Sequence, residues 1–171
     1  MAVALLCAAV PAPADSGEGA YPRQRGDAVW AFGPLERLGD SAVRFSSAPA
    51  LGGRGVVVEL AGQPDGTAKG DVTFVHGHPF RGWKRGEPLP LVLGAQPWTS
   101  LRAAMEQTLA RPEPSPGDGD DLVICTDGPG YVTEWRSDGR SRWLSGFCGD
   151  HPNRKIANLF NDLLRNNFAN F

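Results

Sequence analysis

Several features that would have identified an activity are missing from this sequence. It has no basic excess, with Lys+Arg 17 against Asp+Glu 19 and a net charge of -2, which argues against a general nucleic-acid binder. It has no apolar run of roughly 20 residues, the length a membrane-spanning helix needs. Of its three cysteines, Cys7, Cys125 and Cys148, none sits in a CxxC pair, which speaks against a redox motif or a zinc ribbon. No GxSxG, HExxH, phosphate-binding loop or kinase signature occurs. Gly52-Gly53-Arg54-Gly55 precedes its strand, whereas a dinucleotide fingerprint must follow one and open a helix. The acidic stretch Asp118–Asp121 fails as a calcium loop, because the bidentate glutamate position falls on Pro129. Arginine far outnumbers lysine, which decides nothing.

What is present points first to compartment. Ala2–Val10 is an unbroken apolar run, and Ala12-Pro13-Ala14 has the small-x-small form cut by signal peptidase. Residues 1–14 therefore read as a signal-peptide-like segment with a mature start at Asp15. No Lys or Arg precedes the run, so the expectation is that a basic stretch lies upstream of Met1. A lipid-anchor cut before Cys7 is disfavoured by the bulk of Leu6. Cleavage would leave Cys125 and Cys148, an even count for an oxidising compartment. A bridge between them closes a loop worth roughly 3 kcal/mol in the chain-entropy model. The predicted localisation is periplasmic or secreted.

Hydrophobic residues make up 41% of the chain and charged residues 21%, enough apolar material for a core. Gly 22 and Pro 15 imply many turns and short elements. Residues 15–26 are polar and read as a disordered lead-in to one domain over 27–171. Strands are expected at Asp27–Phe32, Ser41–Ser46, Val56–Leu60 and Asp71–His76. Leu89–Leu93 is a further short run, with Pro90 placing it at a sheet edge or outside the ladder. A helix is expected from near Thr99 or Ser100, with Thr99 as its N-cap, carrying Leu101, Ala104, Met105, Thr108 and Leu109 on one stripe and stopped by Pro112. Three antiparallel strands should follow, Leu122–Thr126, Tyr131–Arg136 and Ser141–Phe147, the last two joined by Ser137-Asp138-Gly139-Arg140. A second helix carries Ile156, Leu159, Phe160, Leu163 and Leu164. The predicted fold is α+β, a mainly antiparallel sheet of about six short strands with two amphipathic helices packed on it. Two helical stripes and a Pro-rich loop over 111–121 oppose an outer-membrane barrel, which needs sustained alternation.

Candidate sites are few. His76 and His78, two apart on a strand, point to one side and could share a metal such as zinc, with His151 or a carboxylate as third ligand. The plainer reading is a pair of loop histidines and no cofactor. Arg81, Trp83 and Arg85 form a basic-aromatic stretch that Gly82 and Gly86 should keep in an exposed loop, a candidate contact site. The five tryptophans are either sugar- or protein-facing platforms or core residues. Glu59 and Glu134 on strands could serve as acid and base if they faced a cleft. The reading that fits best is an exported, non-catalytic module binding an envelope protein or glycan. The alternatives are a metal-assisted hydrolase using His76 and His78, and a structural envelope protein without a ligand.

Overall fold

The computed structural model describes residues 15–110, 128–147 and 152–168. Its centre is a seven-stranded sheet in the order β1-β7-β6-β2-β3-β4-β5, with every neighbouring pair antiparallel. The strands are β1 (Asp15–Glu18), β2 (Ala42–Pro49), β3 (Gly53–Gly62), β4 (Ala68–His78), β5 (Gly82–Leu93), β6 (Pro129–Ser137) and β7 (Arg140–Phe147). Two helices, α1 (Ala95–Leu109) and α2 (Pro152–Asn167), complete an α+β chain. Among the described residues the sheet thus has seven strands where about six were expected. Among the described residues no helix is long and apolar enough to cross a membrane.

Alternation along the strands separates two faces. On one, Val43 and Phe45 of β2, Val58 and Leu60 of β3 and Trp135 of β6 join a buried cluster. That cluster also holds Trp98, Leu101 and Met105 of α1 and Ile156, Phe160 and Leu164 of α2. Phe160 stacks on Phe45 with ring centroids 4.6 Å apart, and Trp98 meets Trp135 at 6.2 Å. Each such side chain contributes roughly 1.5–3 kcal/mol of apolar burial. The other face carries Val57, Val75, Val132 and Trp143, buried beneath the segment from Tyr21 to Leu35.

Several expectations change here. Asp27–Phe32 is not a strand; Ala28–Ala31 is a 3₁₀ turn, followed by another at Leu35–Leu38. Its apolar residues sink into the sheet as a lid would, with Ala28, Val29 and Phe32 buried, so a short apolar run mimicked a strand. The stretch 15–26, expected as a disordered lead-in, opens with β1 and carries the buried Tyr21 against Trp143. Helix α1 begins at Ala95, four residues before Thr99, and its N-cap is Gly94. Pro97 lies within its first turn, where a missing N–H costs nothing, and the Trp98 N–H already bonds the Gly94 carbonyl. Arg81–Arg85 is not a loop, because β5 starts at Gly82.

The β6–β7 hairpin turns through Asp138 (φ 51) and Gly139 (φ 76), the paired left-handed conformation that matches strand twist. Both edges of β6 are occupied, by β7 and β2. The place expected for a 122–126 strand is therefore filled by β2, and residues 122–126 lie outside the described residues. Leu89–Leu93 is the end of β5, an edge strand, with Pro88 and Pro90 in register with Thr73 and Asp71 of β4.

Candidate functional site

The second face of the sheet is built around a charge that the strand pattern does not advertise. Arg44 sits in the middle of β2, is 0% exposed, and stands in register with Glu59 on β3 and Glu134 on β6. Its Nε donates to Glu59 at 2.7 Å and its NH1 to Glu134 at 2.5 Å. Its NH2 donates to the Gly33 carbonyl at 2.6 Å. Arg23 donates to the other oxygen of Glu134 at 2.7 Å, and Arg37 to the other oxygen of Glu59. Glu59 and Glu134 are thus locked between guanidinium groups and do not face a cleft as an acid and base pair. Buried charges persist where each is paired and bonded. Here three arginines and two glutamates tie the segment from Arg23 to Arg37 onto three central strands.

Beside this network the same layer leaves a cavity of about 640 Å³. Ser46 and Val132 come from the strands beneath it, with Ser145 on β7. Tyr21 and Asp27 come from the N-terminal segment, and Trp83 from the start of β5. The size falls in the ordinary range of small-ligand sites, and a largely apolar lining with a few polar groups is their usual character. Asp27 accepts the Gln24 backbone N–H at 2.9 Å, which holds the loop that rims the cavity.

Trp83 is a correction. Its ring is 4% exposed and its Nε1–H donates to the Gly26 carbonyl at 3.2 Å. It is a core residue and cavity wall, not an exposed anchor. Arg81 and Arg85 remain exposed, and the Arg85 guanidinium lies 4.9 Å from the Phe32 ring. Of the five tryptophans, Trp83, Trp98, Trp135 and Trp143 are buried, while Trp30 is exposed.

His76 and His78 do fall near the end of β4, with His76 exposed. His78 Nδ1 accepts the Phe80 backbone N–H at 3.2 Å, closing the β4–β5 turn. Among the described residues no group of three His, Cys, Asp or Glu is placed to hold a metal ion. His151, Cys125 and Cys148 lie outside the described residues. With the expected three-strand meander replaced, the proposed bridge rests on cysteine number and compartment alone.

Sequence reasoning missed the Arg44 network and the cavity. The available signal was an arginine inside Ala42-Val43-Arg44-Phe45, a strand otherwise apolar enough to be central. In comparisons with known proteins, no protein family, curated protein or solved structure matches the chain.

Proposed function

We propose that this protein is an exported, non-catalytic binding domain, and that the cavity between the N-terminal segment and the sheet holds a glycan unit of the envelope. The observation that carries the reading is the cavity itself, where aromatic Tyr21 and Trp83 stand beside the hydroxyl-bearing Ser46 and Ser145 and the carboxylate of Asp27. Aromatic faces with nearby hydrogen-bonding groups suit a ring that is apolar on its faces and polar at its rim. We read α1 and α2 as the cover of the face that carries Phe45 and Trp135, which leaves the opposite face to carry the site. Export follows from the apolar run and Ala12-Pro13-Ala14, and a Cys125–Cys148 bridge belongs to the same proposal.

The test is binding of the full chain to an array of envelope polysaccharide fragments, alongside Ala48→Leu. Ala48 lines the cavity, and the added methyl groups shrink it at a folding cost of about 1–3 kcal/mol. The expected result is capture of a defined fragment class by the parent chain and its loss in a variant that still melts cooperatively. Equal capture by both proteins, or none by the parent, overturns the glycan-cavity reading.

A further inference from the structure

We propose that the turn end of the β2–β5 meander docks the protein on an anionic lipid bilayer. The β2–β3 turn (50–52) and the β4–β5 turn (79–81) emerge side by side, since Gly53 pairs with Gly77 and Gly77 with Trp83. Their approach is close. Gly52 adopts φ +90, and a Cβ there would lie 2.7 Å from the Gly77 carbonyl oxygen. At the two tips stand Leu51, 68% exposed, and Phe80, 86% exposed. Trp30, 46% exposed, flanks Gly82 at the same end.

Behind the tips is a basic band in which His76 stands between two cations. Arg54, His76 and Lys84 are consecutive in register across β3, β4 and β5, and all three are exposed. Strand spacing sets them roughly 4.8 Å apart, with Arg54 held over the Phe74 ring at 4.0 Å. Arg81 lies at the second tip, and Arg25 bonds its carbonyl at 3.2 Å. Among the described residues Arg23, Arg37, Arg44 and Arg136 are ion-paired, whereas Arg25, Arg54, Arg81 and Lys84 have no carboxylate within salt-bridge distance. No Asp or Glu occurs from residue 41 to 58 or from 72 to 86. Among the described residues of a chain with net charge -2, that end of the meander is basic. Asp27, which accepts the Gln24 N–H, is the one described carboxylate near this end, and its single charge is outnumbered by Arg25, Arg54, Arg81 and Lys84.

This chemistry fits a bilayer better than a protein or a soluble polyanion. Leu51, Phe80 and Trp30 are too few apolar side chains for the roughly 20–30 residues a side of a stable protein interface. A soluble polyanion would use the cations and leave the aromatic tip idle. At a membrane surface both are used, the tips entering the headgroup boundary and the cations meeting lipid phosphates.

The experiment is sedimentation of the full chain with mixed phosphatidylglycerol–phosphatidylcholine vesicles, and with phosphatidylcholine alone. The expected result is binding to the mixed vesicles that weakens as salt rises. Leu51→Ser with Phe80→Ser should lower partitioning by roughly tenfold or more. Arg54→Gln, Arg81→Gln and Lys84→Gln should each lower it about fivefold. All five positions are exposed, so the variants should melt with the parent, and this is measured alongside. No binding, or equal binding to both vesicle types, overturns the proposal. So does full binding by the Leu51/Phe80 variant, which would assign membrane affinity to the apolar run 2–10. The glycan array does not depend on these positions, so either proposal can fail while the other stands.

Discussion

Trp83 and Trp30 show how position decides what one kind of side chain does. Trp83 fills the second face of the sheet among Phe32, Val57 and Val75, whereas Trp30 is exposed. Truncating Trp83 to Ala should cost about 3–5 kcal/mol of folding stability, and truncating Trp30, which is 46% exposed, should cost clearly less. Urea unfolding midpoints measure both, and a mild Trp83→Ala would contradict its place in the core. Glu36 makes a second residue-level case. Its carboxyl is held below the ordinary glutamate range of 4.5, first by its own backbone N–H, then by the Ser141 hydroxyl and the nearby Arg136 and Arg23, against an opposing effect of burial. A carboxyl whose pKa falls on folding adds stability that is complete above the unfolded value and is lost as pH falls through the folded one. Replacing Glu36 with Gln should therefore flatten the decline in stability on the acid side of pH 4.5. Comparing urea midpoints of the two proteins at neutral and acidic pH tests the sign, and an unchanged acid slope would refute it.

At the scale of elements, the edges of the sheet are guarded differently. β1 is only four residues long, too short to template another chain. β5 is twelve residues long and mostly exposed, which would invite pairing with a second copy. Pro88 and Pro90 sit two apart, so both rings fall on the same hydrogen-bonding side of the strand. Proline survives within an edge strand when its nitrogen faces outward, and it removes a donor from the open edge. The double change Pro88→Val with Pro90→Val should raise concentration-dependent self-association, read by light scattering, with little change in the monomer's melting. A variant as monodisperse as the parent would show that Lys84, Arg85 and Glu87 already suffice to blunt the edge. Much at this scale was legible beforehand. Alternation located β4, the Asp-Gly turn located the β6–β7 hairpin, and Pro90 pointed to an edge. Segments without periodicity were not legible, which is why 27–32 passed for a strand and β1 for disorder. A four-residue strand such as β1 exists only because β7 offers a partner.

For the whole molecule, the export reading predicts a native N-terminus at Asp15 and an intact mass about 2 Da below the reduced value, from loss of two hydrogens in one disulfide. N-terminal sequencing and mass measurement of protein from its host check both, and recovery of reduced protein beginning at Met1 would sink the reading. The sequence by itself determined the α+β class, most of the antiparallel strands and most of the apolar stripe of α2, from which Leu159 departs by being exposed while Ala157 is buried. Those follow from periodicity and turn chemistry, which act between residues close in the chain. Only the tertiary structure decided that β6 lies against β2, that Arg44 is buried between two glutamates, and that Trp83 turns inward. The same is true of Leu51, Phe80 and the cations that, among the described residues, converge at one end without a carboxylate partner. Each of these depends on which strand becomes neighbour to which. That choice is made by packing between residues far apart in the chain, where no local pattern records it.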